Sequence, residues 1–151
     1  MGHLARSTVV ACPPEAVYDL LTRVDRLPEL SDMTVSVEGP GRPVEVSDSF
    51  EQVVKVLGKE LDSTWQVVDL RPSSELRFRG DAPVGASATL TERLTPTGEG
   101  TRVDFEVEYD LPLGILGAAV DAVLLRAKAE EMAEEILVRL KALCEGTAAS
   151  S

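Results

Sequence analysis

From Thr101 to Leu111 the chain alternates without a break. Thr101, Val103, Phe105, Val107, Tyr109 and Leu111 fall on one side, and Arg102, Asp104, Glu106, Glu108 and Asp110 on the other. A period of two with one apolar side describes a strand buried on one face and wet on the other, the habit of antiparallel sheets. The period then changes. No proline occurs after Pro112, and no glycine lies between Gly117 and Gly146. Leu116, Val120, Val123, Leu125, Ala129, Met132, Ile136, Leu140 and Leu143 recur mostly at spacings of three and four. That pattern predicts one helix from about Pro112 to Glu145, roughly 50 Å long at 1.5 Å per residue. Gly146 is expected to end it, leaving 147–151 as a disordered tail.

Upstream, Leu4, Arg6, Thr8 and Val10 alternate with Ala5, Ser7, Val9 and Ala11, which suits a first strand. Pro13-Pro14-Glu15 opens a helix, because proline is tolerated in the first turn and an acid favours the positive helix end. Val17, Leu20, Leu21 and Val24 supply its apolar stripe. Asp25 is a candidate N-cap for a short second helix around Arg26 to Leu30. Turn chemistry then punctuates strands at Glu38-Gly39-Pro40-Gly41, Leu57-Gly58-Lys59, Arg71-Pro72-Ser73-Ser74, 81–85 and 95–100. The expected order is strand, two helices, six strands, long helix, in a single domain over 1–146 with no repeat or linker. A chain of this size buries so long a stripe by wrapping a curved sheet around the helix, which leaves a pocket between the two.

Composition narrows the function. Fifteen basic and 26 acidic residues give a net charge of −11. Nucleic acid and anionic membrane both demand clusters of Lys and Arg, and none is present. No apolar run is long enough to span a membrane, and no signal-peptide core opens the chain, so stable membrane insertion is not expected and a cytoplasmic location is. Cys12 and Cys144 lie far apart in sequence and outside any CxxC, and are expected to be reduced structural thiols. His3 is the only histidine and sits at the N-terminus. One such residue assembles neither a zinc site nor a Ser–His–Asp arrangement. With no GxGxxG or P-loop either, no metal and no cofactor are expected.

Cys12-Pro13-Pro14-Glu15-Ala16-Val17-Tyr18-Asp19-Leu20-Leu21 resembles the APPEAVWDLL segment of the START-related helix-grip superfamily, also called SRPBCC. Arg26-Leu27-Pro28-Glu29-Leu30 is similar to its RLPEW element, with Leu30 where Trp is usual. Val54–Lys59, Thr64–Val67, Glu75–Gly80 and Gly100–Val103 follow in the family's order, and Tyr109-Asp110-Leu111-Pro112-Leu113-Gly114 leads into the long helix. The resemblance covers nearly the whole chain and is similar to the polyketide cyclase/dehydrase and lipid-transport branch. It implies an α+β helix-grip fold: a curved seven-stranded antiparallel sheet around a long C-terminal helix, with two short helices after the first strand and a hydrophobic cavity inside. Functions on this fold run from passive carriage to cyclisation, so the fold alone does not choose.

Strand parity gives the pocket inventory. Gln52, Ser63, Trp65, Phe78, Ala88, Phe105 and Tyr109 share the inner face with other apolar residues, and Leu113, Leu116 and Val120 reach it from the helix start. Ala88 is small and leaves room. Trp65, the only tryptophan, is either a core plug or a ligand-stacking wall whose indole N–H is a donor. Tyr109 either donates to a ligand carbonyl or caps a strand end. Gln52 or Ser63 is a candidate ligand hydrogen-bonder, though a register slip of one residue would put either in solvent. Arg77 and Arg79 alternate with Leu76 and Phe78 and are expected in water. Glu92 shares parity with Leu90 and Leu94 but is expected near its strand's end, exposed. Glu130, Glu131, Glu134 and Glu135 read as a solvated face or a docking surface for a basic partner. The apolar start of the helix, with Gly114 and Gly117, reads as a gate at the pocket mouth, as a helix start packed closely on the last strand, or as a dimer or membrane-docking patch.

Three functions fit. The first is a non-catalytic binder or carrier of a small hydrophobic molecule such as a lipid, isoprenoid or polyketide-like compound, working as a monomer or weak homodimer. The second is a polyketide cyclase or dehydratase with Tyr109 or Glu92 as acid/base. The third is an interaction module using the apolar helix start.

Overall fold

The computed structural model describes residues 2–56, 58–81, 87–110 and 119–150, with the side chains of 56, 59, 119–125 and 147–150 outside that description. The chain forms β1 (Gly2–Val10), α1 (Pro14–Leu21), a 3-10 turn (Val24–Arg26), α2 (Leu27–Leu30), β2 (Thr34–Glu38), β3 (Ser49–Val56), β4 (Lys59–Arg71), β5 (Glu75–Asp81), β6 (Ser87–Thr97), β7 (Gly100–Asp110) and α3 (Ala119–Ser150). Element order and fold class agree with the sequence reading.

The strands make one antiparallel sheet in the order β1-β7-β6-β5-β4-β3-β2. Every neighbour but one is the next strand in the chain; the exception is β1, which waits for β7 and pairs along its length from Gly2↔Tyr109 to Val10↔Thr101. The alternation in β7 appears directly as burial: Thr101, Val103 and Phe105 are buried and Arg102 is exposed. Gly100 enters this strand at a φ of +139°, and a Cβ there would strike the Val10 carbonyl and the Ala11 backbone. Only glycine allows both the conformation and the approach.

α3 closes the inner face of the curled sheet. It packs along β1 and against α1 and α2. Its buried side is Ala133, Ile136, Leu137, Leu140 and Cys144, which join Leu4, Val10, Val17, Leu76, Val103 and others in one core. Of the stripe expected from Ala129 onward, Ile136 and Leu140 are buried and Ala129, Met132 and Leu143 are partly buried against the core, while Ala133, Leu137 and Cys144 join the buried side without having been in it. The earlier part of the stripe lies outside the described side chains, and the expected helix start at 112–118 lies outside the described residues.

Three expectations change. α3 runs through Gly146 to Ser150, so that glycine does not end the helix. Its φ is not positive, and the following Thr147-Ala148-Ala149 suits continued helix. The second helix is α2 preceded by a 3-10 turn, and Asp25 makes no cap. Its carboxylate is taken instead by Arg23, whose Nε and Nη2 donate at 3.0 and 2.7 Å and hold Asp25 below the usual carboxylate range. β6 continues through Pro96, which the sequence reading assigns to a turn, so its pairing with β7 extends to Thr97↔Gly100.

The acidic residues of α3 also have structural work. Arg6 on β1 meets Glu134 at 3.2 Å and Glu130 at 3.6 Å. Glu145 accepts the Ala11 N–H at 3.1 Å. On the other flank Glu135 accepts the Asp32 N–H at 3.0 Å, while Arg139 pairs with both Asp32 oxygens at 2.9 and 2.8 Å. The helix is thus fastened along both sides, and these glutamates are not simply a solvated row.

Candidate functional site

The register brings side chains into rows across the inner face of the sheet. One row runs Phe50, Trp65, Gly80, Ala88, Tyr109. Its middle positions have almost no side chain: the Trp65 ring folds over Gly80, and Ala88 leaves room in the pocket. The next row, Val67, Phe78, Leu90, Val107 and Leu4, is apolar throughout. The third runs Leu70, Leu76, Glu92, Phe105, Arg6. Above them sit Leu20, Leu21, Val24, Leu27 and Leu30 from the N-terminal helical segment, and Ala129, Met132, Ala133 and Ile136 from α3. Between floor and roof is a pocket of about 350 Å³. Its walls are overwhelmingly hydrocarbon, the surface that gains most from covering an apolar molecule.

Aromatic packing fixes one wall. Phe50 stacks on Trp65 with centroids 6.4 Å apart and planes 10° apart, and meets Phe78 edge-on at 6.1 Å and 81°. The Trp65 N–H is already used: it donates to Ser63 Oγ at 2.9 Å, and Ser63 Oγ donates to the Gln52 carbonyl at 3.2 Å. Residues 63 and 65 share a face of one strand, which is why they meet. Gln52 is buried and donates from its side-chain amide to Thr34 Oγ1 at 3.0 Å. Its amide oxygen and the Tyr109 hydroxyl have no protein partner among the described residues. Both residues line the pocket.

Glu92 is the feature the sequence reading misplaces. It is 6% exposed and lines the pocket. The longer β6 leaves it five residues from the strand's end, flanked by Leu76 and Phe105, with α1 packed over the strand. No hydrogen bond or ion pair reaches its carboxyl among the described residues. Burial alone pushes its pKa up to about 8. Its shared parity with Leu90 and Leu94 was the available signal.

Of the other expected site residues, Gln52, Trp65, Phe78, Ala88, Phe105 and Tyr109 line the pocket, and Ser63 stands behind Trp65. Leu113 and Leu116, like the gate glycines Gly114 and Gly117, lie outside the described residues, and the Val120 side chain is likewise undescribed. Arg77 and Arg79 do point away from the pocket, on the outer face, in loose pairs with Glu75 and Asp81 at 3.9 and 3.8 Å. Sequence reasoning missed Arg23, Arg126 and Lys128, which line the pocket with Asp25, Glu130 and Glu131 as their ionic partners. A second, more open hollow of about 540 Å³ lies over Ala5 and Ser7 on the outer face, walled by Arg93, Arg102, Asp104 and Glu106. These charged walls do not suit an apolar guest. On that same face His3, Glu106 and Glu108 place one ligand atom each within 4.8 Å of the others, a grouping the lone histidine did not suggest.

Cys12 and Cys144 are free, buried and in contact. Burial first, then the neighbouring Cys12 thiol and Glu145, push the Cys144 thiol up to about 12. No helix among the described residues is long and apolar enough to cross a membrane.

Comparison with known proteins places this geometry. The aromatase/cyclase Zhui from Streptomyces sp. R1128 superposes with a TM-score of 0.80 at 18% identity, over 95% of this chain and 93% of that one. StfQ, a di-domain aromatase/cyclase from the steffimycin biosynthetic pathway, gives 0.81 at 20% identity, over 97% of this chain and 52% of its own. A protein of Thermus thermophilus gives 0.68 at 23% identity, over 99% and 100%. These likenesses establish the fold. No curated protein matches the sequence. The family model described as polyketide cyclase/dehydrase and lipid transport matches residues 1–145, and with the helix-grip architecture already in view the chain belongs to that family.

Proposed function

We propose that the protein binds a small hydrophobic molecule, of lipid, isoprenoid or polyketide-like type, in the pocket between sheet and α3. The observation that carries this reading is the pocket itself: about 350 Å³ stand open between sheet and roof, lined almost wholly by apolar side chains and by the small Ala88. Affinity comes from apolar burial at about 25 cal/mol per Å². Gln52, Tyr109 and Glu92 supply the polar contacts that orient a guest. The pocket lies within one chain, so a monomer suffices. The free, buried thiols support a reducing compartment such as the cytoplasm.

Trp65 reports on the pocket. Native mass spectrometry of protein purified from its own host, followed by organic extraction, should show an apolar small molecule. Adding that molecule to stripped protein should change Trp65 emission. If it binds without altering the emission, and Trp65→Phe leaves affinity unchanged, the pocket is not the site.

One observation favours a second reading, a cyclase or dehydratase. Glu92 is a carboxyl in an apolar pocket with its pKa raised toward neutrality, the condition for a general acid or base at ordinary pH. Tyr109 stands in the same pocket. In this reading Glu92→Gln abolishes turnover of a poly-ketone substrate while leaving its binding measurable. Turnover retained by that variant would exclude Glu92 as the acid/base.

A further inference from the structure

We propose that filling the pocket with an apolar ligand is coupled to uptake of a proton by Glu92. The proposal rests on the ligand-binding reading above and concerns the regulation of that same site. Its basis is placement. The Glu92 carboxyl lines the pocket, and its neighbours across the sheet are Leu76 and Phe105. Along its own strand, Leu90 and Leu94 share its face. A guest that fills the pocket takes the remaining solvent contact from this carboxyl. An ionised carboxylate deprived of water and without a partner is strongly disfavoured, so the occupied pocket favours the neutral acid.

The surrounding charges do not offset this. α1 turns Val17, Leu20 and Leu21 inward, with Glu15 and Asp19 exposed. On β5 and β7 the charged side chains nearest in sequence, Glu75, Arg77, Asp104 and Glu106, alternate to the outer face. Arg6 on β1 shares the row of Glu92 but lies beyond Phe105 and is held by Glu130 and Glu134. Arg23, Arg126 and Lys128 line the pocket, and each is engaged elsewhere, by Asp25, Glu130 and Glu131. Tyr109 is the remaining titratable lining group among the described residues. None of these forms an ion pair with Glu92.

Linkage gives the sign. Below the free-state pKa of about 8, Glu92 is already protonated and affinity does not depend on pH. Above it, each binding event takes up as much as one proton, and affinity falls by about tenfold per pH unit until the bound-state pKa is reached. The coupling therefore retains an apolar guest at neutral pH and releases it in alkali.

The test uses N-phenyl-1-naphthylamine, a fluorescent apolar probe that stays uncharged between pH 6 and 9.5. Its affinity for the wild-type protein should be constant up to about pH 7 and at least tenfold weaker at pH 9.5. Calorimetry at pH 9 in buffers of different ionisation enthalpy should count close to one proton taken up per probe. Glu92→Gln should flatten the pH profile, whatever its absolute affinity, and Tyr109→Phe should leave the slope in place. A flat wild-type profile, an unchanged slope in Glu92→Gln, or a proton count of zero would overturn the coupling; the count needs no variant to fold. Binding without a slope removes this proposal alone. Failure of the probe to bind Trp65's pocket at any pH removes the ligand-binding reading and this proposal with it.

Discussion

The indole of Trp65 lies face-on over Gly80, its partner across the β4–β5 ladder. A Cβ built on Gly80 would come within 2.7 to 2.8 Å of three atoms of the fused ring, Cδ2, Cε2 and Cε3. A strand glycine is thereby covered by a cross-strand aromatic, and the ring is set at the angle that lets its N–H reach Ser63. Gly80→Ala should push the ring off the strand, break that hydrogen bond and destabilise the fold by about 1–3 kcal/mol. A denaturant curve with a shifted Trp65 emission checks this. An unchanged midpoint would mean that the ring moves aside freely.

Glu92 makes stability depend on pH. Its folded-state pKa of about 8 lies above the ordinary 4.5, so the folded chain holds a proton that the unfolded chain releases. The sign follows: stability is fully present below about pH 4.5 and declines by about 1.4 kcal/mol per unit as pH rises toward 8. Glu92→Gln should remove this decline and be the more stable protein at pH 8. Urea midpoints of both proteins at pH 5, 6.5 and 8 measure it; parallel lines would show that Glu92 is solvated.

Thr101 is fully buried and its hydroxyl donates to the Cys12 carbonyl at 2.7 Å, tying the start of β7 to the turn after β1. Thr101→Val keeps the shape and removes the donor. An unsatisfied buried carbonyl costs about 1–3 kcal/mol, so the variant should unfold at correspondingly lower denaturant. Equal stability would show that another donor reaches that carbonyl.

The two cysteines should resist alkylation. Both are buried away from reagent, and the Cys144 thiol is pushed up to about 12, so Cys144 carries almost no thiolate at pH 8. Iodoacetamide at that pH should leave the native mass unchanged and add two carbamidomethyl groups once denaturant is present. Rapid single or double labelling of the native protein would show that the C-terminal half of α3 lifts from β1.

The rows of the pocket were legible because alternation in a strand is local: Phe78, Phe105 and Tyr109 face inward for the same reason that Arg77 and Arg79 do not. What alternation does not supply is which neighbours exhaust a donor. Ser63 and Trp65, two residues apart, already shared a face, but only the folded geometry shows that one spends the other's N–H. The exposure expected for Glu92 fails on the length of β6, a boundary that Pro96 suggests and that edgewise pairing with Thr101 overrides. Asp25 has the chemistry of a cap, but Arg23, two positions earlier, takes its carboxylate. The acidic face of α3 was ambiguous because its partners, Arg6, Ala11 and Asp32, are more than a hundred residues away in sequence. Long-range ion pairing leaves no periodic trace.

The pairing of β1 with β7 sets an order of events during synthesis. The strand translated first has no neighbour in the sheet until the strand translated seventh has been made, and α3, which fastens onto β1, follows later still. The intervening hairpins can form as they emerge; the edge at β1 cannot, because its contacts span most of the chain. A ribosome-bound chain lacking α3 therefore carries an open sheet whose greasy inner face is roofed only by the N-terminal helical segment. The pocket is complete only once α3 has arrived, and the hazard of aggregation is greatest just before.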